Sequence, residues 1–290
     1  MAPFSGKTTV VGIIGSPVSH SLSPVMQNAA FAALGLDWVY VPFPVSPDRL
    51  PAAVAGLRAL GLAGFNVTIP HKVAILPLLD RVSSEAELIG AVNTVALEDG
   101  ELTGHNTDGM GLLAALNREF GFAPAGRSIL VLGAGGAARS AVATLASAGA
   151  ARIGVANRSL DTARDLVRSL APRLPATVLA PDSLVRLGEP TFLGSFDLIV
   201  NTTSVGMGGD AFPGLKLSGL KEGLCVYDMV YAPPRTPLLA EAEACGVPFS
   251  NGIGMLVAQG EAAFAIWTGQ SAPPGCMAGA LAGLGAPRIP

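Results

Sequence analysis

The sequence predicts an α/β protein built from two α/β domains, and three observations carry that expectation. Short apolar runs alternate with longer Ala/Leu-rich segments, as strands and helices do in turn. The rhythm stops at residues 121–126, which contain Pro124, and restarts more regularly. At 290 residues the chain has room for one to two domains of about 100–200 residues each.

In the first half, residues 9–15, 38–43, 64–67 and 94–98 read as strands. Residues 24–34, 48–60 and 72–79 read as helices, and a longer helix follows Asp108 to residue 120. Ser23 before Pro24 has the form of an N-cap followed by proline at the first helical position. The second half gives strands at 128–132, 153–156, 176–179, 198–201, 224–228 and 248–250, with helices between most of them. Six strands in β-α alternation match a doubly wound nucleotide-binding sheet. Past Gly252 the pattern changes to one apolar helix at 255–267, a Pro/Gly break, and a short segment at 277–284. A six-stranded unit is complete by then, so these C-terminal helices are expected to return to the first domain. The domains expected are 1–107 plus 252–290, and 108–251.

Composition narrows the function. Lys and Arg total 18 against 21 Asp and Glu, a net charge of −3, which leaves no electrostatic footprint for nucleic acid. Half the residues are apolar, which argues against disorder. The long uncharged stretches 8–36 and 262–287 are interrupted by Pro17, Pro24, Gln27 and Asn28, and by Gln270, Pro273 and Pro274. Neither offers the ~20 continuous apolar residues of a membrane span. The apolar run at 10–14 is too short for a secretory leader. Three cysteines without CxxC spacing speak against a disulfide framework or a zinc site and fit the cytoplasm. No metal is expected, and both a monomer and a homodimer are compatible with the sequence.

Gly133-Ala134-Gly135-Gly136-Ala137-Ala138 places G-x-G-x-x-A directly after an apolar strand and at the start of an Ala-rich helix. Gly133 suits a tight turn, Gly135 lets a pyrophosphate approach the backbone, and Ala138 permits close helix–strand packing. The helix N-terminus then receives phosphate. Dinucleotide binders that use NAD put an acid at the tip of the next strand. Here the tip reads Asn157-Arg158-Ser159, with a guanidinium and no acid. Arg158 can pair with a 2′-phosphate, which favours NADP. Ser159 is a natural N-cap for the next helix.

The first half has no such loop, yet uncharged polar residues cluster at its strand ends: Ser21 and Ser23; Asn66, Thr68 and Lys72; Asn93 and Thr94; Asn106, Thr107 and Asp108. Hydroxyls and amides of this kind suit a small polyhydroxylated ligand, since a missing ligand hydroxyl leaves them unpaired. Lys72 falls in the first turn of the expected 72–79 helix, where the macrodipole disfavours a cation and a nearby Asp108 would favour it. A lysine so held can act as general acid or base.

Nine motifs in order now resemble one family along essentially the whole chain. They are Gly15-Ser-Pro-Val-Ser-His-Ser21-Leu-Ser23-Pro24, Gly64-Phe-Asn66-Val-Thr68-Ile-Pro-His-Lys72, Gly90-Ala-Val-Asn93-Thr94, Asn106-Thr-Asp108-Gly109, Gly133-Ala-Gly-Gly-Ala137, Asn157-Arg158-Ser159, Asn201-Thr-Thr-Ser204, Tyr227-Asp-Met229-Val-Tyr231 with Pro233, and Gly252-Ile-Gly-Met255-Leu-Val-Ala-Gln259. The chain resembles the shikimate dehydrogenases. The resemblance implies an N-terminal substrate-binding domain and a Rossmann-like NADP-binding domain, with reversible NADPH-dependent reduction of 3-dehydroshikimate to shikimate. It implies that Ser21, Ser23 and Tyr231 hold the substrate carboxylate. Asn66, Thr68, Asn93 and Gln259 would bond the ring hydroxyls, and Lys72 and Asp108 would form the catalytic dyad. Residues 133–137 would carry the pyrophosphate, and Asn157 with Arg158, beside Ser159, the 2′-phosphate. Thr202, Met229 and Gly252 would border the cofactor.

Departures from the family pattern are Thr162, where a second cation is common, and Gln27, where histidine is usual. The first weakens the expected NADP preference. Quinate or aminoshikimate dehydrogenase, and a non-catalytic NADP sensor, are the alternatives.

Overall fold

The computed structural model describes residues 4–174, 176–220 and 222–282. Two six-stranded sheets organise them, one in each of two units. The first unit takes the chain up to Gly111 together with the segment from Leu256, and the second takes Leu112–Met255.

In the first unit β1 (Thr9–Gly15), α1 (Ser23–Ala33) and β2 (Trp38–Pro44) make one crossover, and α2 (Leu50–Ala59) leads to β3 (Gly64–Val67). β1 pairs in parallel with both β2 and β3, the arrangement for which crossover helices are needed. Then follow β4 (Arg81–Val82), α3 (Ser84–Ile89), β5 (Thr94–Glu98), β6 (Glu101–His105) and α4 (Asp108–Phe120). The sheet order is β2-β1-β3-β5-β6-β4, and β5 is antiparallel to its neighbours β3 and β6. β6 is absent from the sequence reading. It is formed by a hairpin whose two turn residues, Asp99 and Gly100, have φ of 50° and 82°. An Asp-Gly pair is a strong signal for that turn, and it stands openly in the sequence.

The helix expected at 72–79 does not form. His71 N–H donates to Thr68 O at 2.9 Å and Ile75 N–H to His71 O at 3.0 Å, and the run then tightens into a 3₁₀ turn over Leu76–Leu78. Pro77 has no N–H with which to extend the ladder. Lys72 therefore lies in a turn, and the expected opposition of a helix dipole loses its helix. Ser23 is also not the N-cap of α1. It is the first helical residue, and Leu22 holds the cap position without a side-chain bond.

The second unit runs β7 (Ser128–Leu132), α5 (Gly136–Ser147), β8 (Arg152–Asn157), α6 (Leu160–Leu170), β9 (Val178–Ser183), α7 (Pro190–Leu193), β10 (Leu198–Asn201), β11 (Cys225–Asp228), α8 (Pro237–Ala244) and β12 (Phe249–Asn251). All pairings are parallel, in the order β12-β11-β10-β7-β8-β9. This is the doubly wound order, and its direction reverses between β7 and β10. β9 lies further along the chain than the expected 176–179 and contains Pro181, which an edge strand tolerates.

The remaining helices are α9 (Ile253–Thr268) and α10 (Cys276–Ala282). From Leu256 onward they belong to the first unit, as expected; residues 283 and 284 of the expected last helix lie outside the described residues. Phe264 stacks on Phe31 with ring centroids 5.2 Å apart, and the Trp267 indole donates to Val95 O at 2.9 Å. The Gln27 amide donates to Gly260 O at 2.9 Å.

Each unit has its own core. Ile14, Phe65, Val67, Ile75, Val95 and Leu102 are buried in the first; Leu130, Phe192, Phe196, Ile199 and Val226 in the second. Phe196 packs edge-on against Phe192 at 5.2 Å, and the Arg152 guanidinium lies 5.0 Å from its ring centre. A Cβ on Gly154 would stand 2.9 Å from the Phe196 ring, so that glycine makes room for it. Phe196→Ala should cost about 3–5 kcal/mol, measured by urea unfolding. A loss below about 1 kcal/mol would mean that this ring does not organise the second core.

Candidate active site

In the first unit the uncharged polar residues meet at the ends of β1, β3, β5 and β6. Lys72 Nζ donates to Asp108 Oδ2 at 2.6 Å, and both side chains are largely buried, with 15% and 8% exposure. Asp108 opens α4, and its N–H donates to Asn106 Oδ1 at 3.2 Å. Its other oxygen, Oδ1, accepts from Asn93 Nδ2 at 2.8 Å. Both carboxylate oxygens thus face donors, which suits an ionised acceptor.

Asn93 spends its amide inside the protein. Besides Asp108, its Nδ2 donates to Thr107 Oγ1 at 2.9 Å, and its Oδ1 accepts from Thr107 N–H at 2.8 Å and from Thr94 Oγ1 at 3.1 Å. Asn66 Nδ2 donates to Asn93 O and to Thr94 Oγ1, both at 3.0 Å. Asn66 Oδ1 accepts from the Tyr40 hydroxyl at 2.7 Å, and that hydroxyl also bonds to Ser23. Burial pushes the Tyr40 phenol far above its usual pKa, so it stays protonated.

The structure therefore joins Ser23, Asn66, Asn93, Asp108 and Lys72 in one continuous network. Tyr40, Thr94 and Thr107 are further members, and the sequence reading missed Tyr40, which sits mid-strand among apolar residues. Ser21 is half-buried and accepts from Ser23 N–H at 3.3 Å. Thr68 follows β3; its N–H donates to Ile14 O at 3.0 Å, and its methyl fills the space a side chain at Gly15 would need. Gln259, on α9, donates to Leu256 O at 2.8 Å, so part of its need for partners is met by its own helix.

The second unit places the glycine loop at the sheet's reversal point, where doubly wound folds bind ligands. Gly133 has φ 110°, and a Cβ there would lie 2.7 Å from Thr202 Oγ1. Thr202 in turn donates its hydroxyl to Leu132 O at 2.6 Å. Gly133 and Thr202 are thus locked together across β7 and β10. Gly135 caps α5 with no side-chain bond, its Cβ direction opens on empty space, and no acid occupies the first turn from Gly136. Such a helix start, with its N–H groups uncovered, fits a phosphate. Ala134 and Ala137 are both half-buried, one in the loop and one in the first turn of α5.

At the tip of β8 Arg158 is exposed, Asn157 Nδ2 donates to Ser159 O at 3.0 Å, and the Ser159 hydroxyl accepts from Thr162 N–H at 3.3 Å as the expected N-cap. Gly252 donates to Val230 O at 3.3 Å and packs directly on the Met229 carbonyl, leaving no room for a side chain. Tyr231 is half-buried beyond β11. Among the described residues no group of His, Cys, Asp and Glu is arranged to hold a metal, and no helix is long and apolar enough to cross a membrane.

With this geometry in place, similarity to known proteins becomes decisive. Residues 13–95 match the shikimate dehydrogenase substrate binding domain, 116–204 match shikimate / quinate 5-dehydrogenase, and 252–282 match the shikimate 5'-dehydrogenase C-terminal domain. A shikimate dehydrogenase (NADP(+)) of Citrifermentans bemidjiense is 68% identical over 279 residues, 96% of each chain. The chain belongs to the shikimate dehydrogenase family. Among solved structures, a shikimate dehydrogenase in complex with NADP+ shares 41% identity with a TM-score of 0.88, covering 97% of both chains. The Listeria monocytogenes shikimate 5-dehydrogenase, in complex with shikimate and NAD, shares 38% identity with a TM-score of 0.86, covering 97% of this chain and 99% of that one.

His105 ends β6 just before the Asn106–Asp108 segment, and its carbonyl accepts from Asn93 N–H at 3.1 Å. Burial lowers its imidazole pKa below 6.5, with Glu98 opposing. The unfolded chain then binds the proton more readily, so this stability is present above pH 6.5 and is lost as pH falls through the depressed value. His105→Asn should flatten the acid side of the Tm-against-pH curve below 6.5; an unchanged slope would remove His105 from the account.

Proposed function

We propose that this protein is a cytoplasmic shikimate dehydrogenase that reduces 3-dehydroshikimate to shikimate with NADPH, and runs the reverse with NADP. The observation that carries the reading is the buried Lys72–Asp108 pair, 2.6 Å apart, within a network of uncharged polar groups. The first unit serves as the substrate-binding domain and the second as the NADP-binding domain. Gly133–Ala137 at the start of α5 hold the pyrophosphate, Asn157, Arg158 and Ser159 the 2′-phosphate side, and Thr202, Met229 and Gly252 border the cofactor, Met229 and Gly252 nearest the nicotinamide.

NADPH, when bound, supplies the hydride. Lys72 donates a proton from Nζ to the alkoxide that develops on the ring carbonyl oxygen, or stabilises it as a cation. Asp108 orients Lys72 through Oδ2 while Asn93 holds Oδ1, so the carboxylate keeps a fixed direction toward a neighbouring ring hydroxyl. Ser21, Ser23 and Tyr231 receive the substrate carboxylate through hydroxyls, and Asn66, Thr68, Asn93 and Gln259 select the ring hydroxyls. The amide protons of Asn66 and Asn93 already have protein partners, so their share is shape and pre-orientation as much as direct bonding.

Shikimate-dependent reduction of NADP, followed by NADPH absorbance, tests the whole reading; no reduction would sink it and favour a sensor. Lys72→Ala should lower kcat by about 100-fold or more with the shikimate KM little changed. Wild-type turnover in that variant would remove Lys72 from the chemistry. Arg158→Ala should weaken NADPH by about tenfold or more and leave NADH nearly untouched. Equal losses for both cofactors would refute the 2′-phosphate contact.

A further inference from the structure

Asp228 ends β11 one residue before Met229, and it is fully buried. Its Oδ1 accepts from Asn201 Nδ2 at 2.8 Å and from Val230 N–H at 3.0 Å; its Oδ2 accepts from the Thr236 hydroxyl at 2.6 Å. One donor ends β10, and the other two stand near either end of the connection from β11 to α8. Asn201 ends β10, and its own Oδ1 accepts from Thr203 N–H at 2.9 Å and Thr203 Oγ1 at 2.8 Å. That fixes the turn carrying Thr202, the residue against which Gly133 packs. Val230 O accepts from Gly252, and Thr236 caps α8 through Leu239 N–H at 3.3 Å.

We propose that Asp228 is a positioning residue for the nicotinamide end of the cofactor site, holding the Thr202 turn, the Met229–Val230 bend and the Thr236 cap in one register. The proposal rests on the reading of this unit as the NADP-binding domain. A carboxylate meets the three donors with no proton of its own to place. The arrangement comes at a cost, because burial pushes the Asp228 carboxyl above its usual pKa. Asparagine keeps the shape: its oxygen can accept from Asn201 and Val230 while its amide donates to Thr236 Oγ1. Alanine removes the acceptor of all three, leaving Val230 N–H and the Thr236 hydroxyl without it and Asn201 Nδ2 with Val205 O alone.

Wild type, Asp228→Ala and Asp228→Asn are compared by steady-state kinetics with shikimate and NADP, and by NADPH fluorescence titration. No activity in the wild type sinks the functional reading; the titration then still decides the role of Asp228. Asp228→Ala should raise the NADP KM and the NADPH Kd about tenfold or more, with the shikimate KM within about twofold. Asp228→Asn should restore both cofactor constants to within about threefold of wild type. An unchanged Asp228→Ala, equal rises in both KM values, or an Asp228→Asn as impaired as alanine overturns the proposal. Should Asp228→Ala fail to fold, Thr236→Val removes a single donor and should raise the NADP KM about threefold with the shikimate KM unchanged; no rise refutes the role.

Discussion

The carboxylate of Asp108 is the constraint on which the substrate side of this protein depends. A buried carboxylate needs a donor at each oxygen. Lys72 supplies one and Asn93 the other. Asn93 can point its amide there because Thr107 and Thr94 occupy its oxygen, and Asn66 bonds its backbone carbonyl. The position of one proton-bearing nitrogen, Lys72 Nζ, is thus set by residues on β3, β5 and the segment leading into α4.

The second unit solves a similar problem in a similar way. Its loops at the ends of β7, β10 and β11 are held by buried side chains and by glycines at which a Cβ would collide. Gly133 lets the Thr202 and Thr203 side chains close on its backbone, Gly252 packs on the Met229 carbonyl, and Asn201 and Asp228 tie neighbouring strand ends together. Both units place their polar networks at strand ends, where backbone groups leave the ladder and side chains can take over their pairing.

What could be read from the sequence is what local chemistry announces. The strands 9–15, 64–67, 94–98, 128–132 and 198–201 stand where their apolar runs placed them. The glycine loop and the Ser159 cap are signals confined to a few residues. Lys72 and Asp108 were legible as an odd charged pair among neutral groups, and their roles came from the resemblance. The rest lay out of reach for a physical reason. Tyr40 looks like a core aromatic until it meets Asn66, 26 residues away, and Asp228 finds Asn201 at a separation of 27. Pro77 outweighed the helical look of residues 72–79, and Ser23 passed for a cap when its hydroxyl serves Tyr40. The β6 hairpin is announced locally by Asp99-Gly100, both of which take positive φ.

The return of the chain to its first unit bears on how the protein is made. Trp267 completes a bond with Val95, and Gln27 one with Gly260, across separations of 172 and 233 residues. A ribosome delivers α9 and α10 after every strand of both sheets. The second unit, continuous from Leu112 to Met255, has all its strands before those helices emerge. The first unit must wait with part of its apolar surface uncovered until those helices emerge. Of the two units, the one begun first is the one completed second.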